Sequence, residues 1–281
     1  MSLFYGMLRE SALAEAASLP AERCRIRGAW TLRLTYQPSS RERLFEYDVA
    51  IIQTEQQGAA YGFPGRINHD HLGGLVGRDV RDCLQSDLSV ESIACMDALC
   101  GSLRQDPTRT HVITGLSSAK ATDRAMIVVE ETVRLAGNSA GTARIANIGT
   151  IGQIVHELAS RGFNVIPTDM DPGLIGTSLH GCTVLDGALH SERVVRECDI
   201  AVVTGMTVAT GAFDGLLAAA AESGTKIILV AETGAWIGRR LLVAAPVHCV
   251  VSEPFPFYIF SGPSTINVFT RESPAPTALP G

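Results

Sequence analysis

The sequence predicts an α/β protein: a Rossmann-like domain with a mainly parallel sheet, preceded by a smaller α+β domain. Three observations carry the prediction. Residues 144–171, "RIANIGTIGQIVHELASRGFNVIPTDMD", run strand, glycine turn, amphipathic helix, strand, acidic residue, which is one βαβ unit. Beyond it, "IAVV" at 200–203 and "IILV" at 227–230 are continuous apolar runs, as strands buried on both faces of a parallel sheet require. The first hundred or so residues instead show hairpin-like alternation.

Taken in order, residues 1–20 mix Arg9, Glu10 and Glu15 into apolar positions and read as an amphipathic helix rather than a signal peptide. "RCRIRGAWTLRLTYQ" and "EYDVAIIQTE" flank the polar "PSSRER", the pattern of an antiparallel hairpin. Two helical stretches follow, 72–85 and 89–103. The second has Ser89 as N-cap and Ile93, Met96 and Leu99 as its buried stripe. The polar segment 102–109 marks the boundary between residues 1–106 and 107–270, and a long helix over 120–135 leads into the sheet. After the βαβ unit, strands end at Asp186, at Thr204-Gly205 and at Val230, with helices over 192–197 and 213–222 between them. The Pro-rich tail, 271–281, is expected to be loose.

With 281 residues and 46% apolar content there is room for two real cores. A net charge of −6 without a basic run argues against nucleic acid or a membrane surface, and no apolar stretch reaches the roughly 20 residues of a span. The expected location is cytoplasmic. Seven cysteines without a CxxC pair read as reduced, mostly buried side chains. Cys95 and Cys100, five apart, fall on different faces of a helix and make no zinc site by themselves.

Ligands of such sheets bind at the carboxyl ends of the strands, so Gly149, Asp169, Asp186 and Thr204 are expected on one rim. Gly149 and Gly152 supply the strand-to-helix turn, but Ile154 and Val155 stand where a third small residue of a dinucleotide fingerprint belongs. Asp169 is placed to accept ribose hydroxyls; Asp171 starts a turn before Pro172-Gly173, and Asp186 serves either the ligand or the cap of the next helix. In "TGMTVATG", Thr204, Gly205, Met206 and Thr207 bring amides and hydroxyls to a strand end and a helix N-terminus, where an anion is stabilised.

The α+β unit ending in "IACMDALCGSL", followed by "NIGTIGQIV" and "CDIAVVTGMTVATGAFDGLL", resembles the two-domain "putative heavy-metal chelation" family of unknown function. That resemblance implies an enolase-like N-terminal domain, a Rossmann-like C-terminal domain and an active cleft between them. The chain departs from the family pattern after the fifth strand, where "AETGAWIG" replaces "GPST"; a "GPST" occurs later, at 262–265.

The carboxylates after successive strands, Asp169 and Asp186, are similar to the class I methyltransferase arrangement. With the third glycine missing, this favours S-adenosylmethionine over a nicotinamide dinucleotide. From the N-terminal half, "GFPGRINHDHLGG" brings His69, Asp70 and His71 together. If the loop is extended, His69 and His71 point the same way and offer two ligands to a divalent metal, with His180 or Cys182 as possible third donors. Asp70, His71 and Tyr61 are the acid–base candidates, and Tyr61 and Phe63 can wall a pocket. Three readings follow: an enzyme with an adenosyl cofactor and a small-molecule substrate, preferred on the glycine turn and Asp169; a heavy-metal chelation or delivery protein; and a non-catalytic small-ligand sensor. A homodimer is expected from size and class.

Overall fold

The computed structural model describes residues 2–36, 45–84, 87–139 and 141–271. The expected hairpin turn at 38–43 and residues 272–281 of the tail lie outside them.

Helix α1 (Leu3–Ala16) forms as the pattern predicts. Ser2 caps it by accepting the Tyr5 amide, and Phe4, Tyr5, Leu8, Ala12 and Ala16 make its buried face. Strands β1 (Gly28–Tyr36) and β2 (Phe45–Gln53) are the expected antiparallel pair. A third strand, β3 (Gln57–Gly62), pairs with β2 and completes a sheet of order β1-β2-β3. Its "QGAAYG" has no alternation to read, because Gly58 is there for contact: a side chain would drive into the backbone of Ala94 and Ala98.

Two local expectations are corrected. The segment carrying His69, Asp70 and His71 is a one-turn helix, α2 (His69–Gly73), because the Asn68 side chain accepts the His71 amide and caps it. Beyond the end of α2, the stretch 74–84 is not helical except for a 3₁₀ turn at Val80–Cys83: Gly74 and Gly77, the latter at φ +90°, interrupt it. Helix α3 (Val90–Gly101) has the expected Ser89 cap, with Ser92 completing a capping box. Every residue from Val90 to Cys100 is buried, so the expected stripe is a fully enclosed helix.

The large sheet is built from β4 (Arg109–Ile113), β5 (Arg144–Ile148), β6 (Asn164–Asp169), β7 (Leu185–Asp186), β8 (Ile200–Thr204), β9 (Lys226–Ala231), β10 (Val247–Ser252) and β11 (Ser264–Thr270). Its order is β4-β11-β10-β9-β8-β5-β6-β7, parallel from β10 to β7, with β11 antiparallel to both its neighbours. The helices between strands are α4 (Ser117–Ala136), α5 (Gly152–Ser160), α6 (Gly187–Arg196), α7 (Met206–Thr210), α8 (Phe213–Ser223) and α9 (Gly238–Ala244).

Successive strand residues face opposite cores. Ala146, Ile148, Ala201, Val203, Ile227 and Leu229 join a cluster that also takes residues of α1, α3, α6 and α8. Ile145, Ile200, Val202, Ile228 and Val230 join a second one with α4 and α5. Each fully buried aliphatic side chain contributes about 1.5–3 kcal/mol, so double-sided burial is what makes these strands continuous apolar runs. The first cluster runs without interruption from α1 and α3 into the large sheet. Asp97 of α3 ties the same junction: its carboxylate accepts the Ala59 amide of β3 at 2.9 Å and the Trp236 amide at 2.6 Å, while burial pushes it up to about 7.

All seven cysteines are free, and six of them are buried. Burial raises the thiols, Cys100 to about 12, which keeps them protonated and inert. Among the described residues, no helix is long and apolar enough to cross a membrane.

Candidate functional site

Strand β5 connects to β6 on one side, while β8 lies on its other side, so the topological switch point falls between β5 and β8. A cleft of about 2090 Å³ opens at these strand ends. Ligand pockets are commonly about 300–1,000 Å³, so two small molecules fit side by side.

Its floor is the turn after β5. Gly149 sits at φ +73°, and a Cβ there would overlap Thr204 Cγ2, so both the backbone and the packing of this turn on β8 demand glycine. The Thr150 amide donates to Asp169 Oδ2 at 2.7 Å, and the Asp171 amide donates to Asp169 Oδ1 at 2.8 Å. Burial raises the Asp169 carboxyl, and the amides of Asp171, Thr150 and Met170 act against it. A carboxylate has about four acceptor positions, so this set leaves room for one ligand hydroxyl. Helix α5 has no side-chain cap from its Ile151, and Gly152 and Gln153 of its first turn line the cleft.

The turn after β8 contributes Thr204, Met206 and Thr207 to the lining. Its hydroxyls are partly committed: Thr207 Oγ1 donates to the Thr204 carbonyl at 2.7 Å and Thr210 Oγ1 to the Thr207 carbonyl at 3.3 Å. Gly205 is pressed against the Thr233 carbonyl and the Ala231 backbone, a packing requirement. Asp186 caps α6 by accepting the Ala188 amide at 2.9 Å and is not among the lining residues, whereas Gly187 and Ala188 are. Of the expected rim, Gly149, Asp169 and Thr204 come together.

Opposite the strand ends stands an aromatic wall. Tyr47 and Tyr61 meet edge-to-face with centroids 6.0 Å apart, and Tyr61 lies 5.1 Å from Phe257. Tyr61 thus lines the cleft as expected, as does Phe63. His69, Asp70 and His71 do not line it. On a helical turn, residues two apart project about 200° apart, so His69 and His71 cannot share an ion as an extended loop would allow. His69 Nδ1 is instead 3.1 Å from Thr31 Oγ1. Among the described residues, no group of three or more His, Cys, Asp or Glu side chains is arranged to hold a metal.

Arg124, Glu232, Tyr258 and His156 line the cleft and escaped the sequence reading. Arg124 of α4 is buried, ion-paired with Glu232 after β9 and with Glu253 Oε2 at 3.5 Å, and its guanidinium carbon lies 4.0 Å above the Tyr258 ring. One helical turn earlier, Lys120 donates to the carbonyls of Phe260 and Gly262 at 2.6 and 2.8 Å and to Ser264 Oγ, holding the segment that carries Tyr258 against the cleft. The late "GPST" therefore serves as an anchor for Lys120. Arg124, Glu232 and Tyr258 line the cleft, so it has a fixed cation and a carboxylate beside its aromatic wall. The remaining missed group is His156, whose Nδ1 lies 3.1 Å from that of His180, the histidine expected as a third metal donor, at the rim. The signal for Arg124 was a basic residue inside the apolar face of the long helix; nothing in the spacing pairs it with residues more than a hundred positions away.

Residues 135–237 match the model of the family DUF364, described as "Putative heavy-metal chelation". Two solved structures of that family, both of unknown function, share the fold: one from Desulfitobacterium hafniense, with 14% identity, TM-score 0.56, covering 94% of this chain and 99% of that one, and one from Pyrococcus horikoshii, with 12% identity, TM-score 0.57, covering 95% and 100%. No curated protein matches. The resemblance seen in "NIGTIGQIV" and "CDIAVVTGMTVATGAFDGLL" is thus borne out over residues 135–237, the Rossmann-like segment that matches the DUF364 model.

Proposed function

We propose that this protein is a small-molecule enzyme that binds an adenosyl-type cofactor, S-adenosylmethionine in preference to a dinucleotide, at the β5/β8 switch point. The observation that carries the reading is Asp169. It ends β6, lines the cleft and stands beside the Gly149-Thr150 turn, where a ribose hydroxyl can donate to its remaining lone pair. The uncapped first turn of α5 suits a carboxylate, and the Tyr47-Tyr61 wall suits an adenine face or a sulfonium. The cleft volume leaves space for a substrate next to Arg124 and Glu232. Tyr61 is the proton-transfer candidate kept from the sequence. Isothermal titration with S-adenosylmethionine, S-adenosylhomocysteine and methylthioadenosine tests the reading; no binding of any of them at millimolar concentration overturns it.

Heavy-metal chelation or delivery is the second reading. The family's description supports it, as does the imidazole pair at the cleft rim.

A further inference from the structure

We propose that His156 and His180 form a two-imidazole site for a divalent ion of the nickel, copper and zinc group at the rim of the cleft. The site rests on the second reading only for the kind of ligand, and it is independent of the adenosyl one.

The two histidines come from different elements. His156 lies on the exposed side of α5, whose opposite face buries Ile154, Val155 and Leu158. His180 lies at the tip of a minimal hairpin pairing Ser178–Leu179 with Cys182–Thr183. Leu179 and Cys182 pack on the cluster that contains those same α5 residues, which fixes the hairpin tip beside the helix. His180 takes φ +50° and Gly181 takes φ +83°, the left-handed pair of a two-residue turn in which asparagine or glycine is the ordinary occupant of the first position. Histidine there puts an imidazole over α5.

The geometry is that of two ligands before an ion enters. Nitrogens bound at about 2.0–2.1 Å and subtending between a right angle and a tetrahedral angle are about 2.8–3.4 Å apart; the two Nδ1 atoms are 3.1 Å apart. The ring centroids are only 4.3 Å apart with planes inclined 49°, so the rings lie alongside each other rather than end to end. Without an ion, one imidazole donates from Nδ1 and the other accepts; a divalent ion takes the place of that Nδ1 proton, which moves to Nε2 of the same ring, so both rings ligate as neutral imidazoles through Nδ1. Neutral imidazole selects nickel, copper and zinc over calcium or magnesium. Both rings are exposed and both line the cleft, so the remaining coordination positions face water or the donor atoms of a small molecule bound there. Two protein ligands make a weak, exchangeable site, suited to a metal that arrives or leaves as a small-molecule complex.

The test is titration of the full chain with zinc and with copper(II), followed calorimetrically. Cobalt(II) absorption serves as a second readout that needs no activity. Wild type should bind one equivalent; His156→Ala and His180→Ala should each weaken binding by at least about tenfold, and the double variant should lose it. Both side chains are exposed, and unchanged thermal unfolding shows that the variants are folded. Zinc binding that persists in the double variant but falls in a His69→Ala/His71→Ala variant overturns this site and leaves the chelation reading standing. Absence of zinc, copper and cobalt binding by wild type at millimolar metal overturns both.

Discussion

The carboxylate of Asp169 holds the amide of Thr150 at 2.7 Å, so the residue that ends β6 fixes the turn that follows β5. A ligand hydroxyl at Asp169 would read a carboxylate already oriented by backbone. Asp169→Ala should therefore lower the affinity for an adenosyl ligand by about 1.5–3 kcal/mol, roughly 10- to 150-fold. Calorimetric titration of the variant checks this. His69→Ala with His71→Ala should leave that affinity unchanged, because neither lines the cleft.

Gly149 and Thr204 are locked by shape. Gly149→Ala places a Cβ on Thr204 Cγ2 at φ +73°, and should cost about 1–3 kcal/mol in urea unfolding. Adding Thr204→Ser removes that methyl. The double variant should recover part of the loss, leaving the backbone strain; full additivity of the two substitutions would show that the contact is not the cause.

Arg124 compensates two carboxylates, one of them buried at Glu253. Arg124→Met should destabilise by about 3–5 kcal/mol, because Glu253 is left charged without its counter-ion. Arg124→Met with Glu253→Gln should be markedly less harmful. Chemical unfolding of the single and double variants decides it.

His248 is the extra residue of a bulge: Ile227 aligns with Val247 and Ile228 with Cys249, and His248 Nδ1 accepts the Ile227 amide at 3.2 Å. Burial, with Arg271 and Lys226 nearby, holds its imidazole below the ordinary 6.5. The unfolded chain then binds the proton more readily than the folded one. The stability associated with neutral His248 is present above pH 6.5 and is lost as pH falls through the folded value. His248→Gln should flatten that part of the stability profile, measured as unfolding free energy against pH.

The strands and helices of the βαβ series were legible because each lies between two cores and must be apolar in the period its backbone imposes. Runs such as Ile227 to Val230 admit little else. The antiparallel edge, β11 and β4, was not legible: its partners are residues 264–270 and 109–113, and pairing over that separation leaves no local signal. The same limit applied to the site. Gly149, Asp169 and Thr204 were found because strand ends follow from the strands. Asp186 spends its carboxylate on the Ala188 amide, a choice between cap and ligand that turns on a single hydrogen bond. His69-Asp70-His71 was the densest local cluster in the sequence, yet the Asn68 cap winds it into a helical turn away from the cleft.

By itself the sequence determined the secondary-structure periods, the switch-point turn and the family resemblance, since these depend on residues near one another in the chain. Only the tertiary structure decided which side chains meet. It brought Arg124 to Glu232, Tyr61 to Phe257 and His156 to His180, because hydrophobic burial sets where elements dock and polar groups meet where that docking carries them.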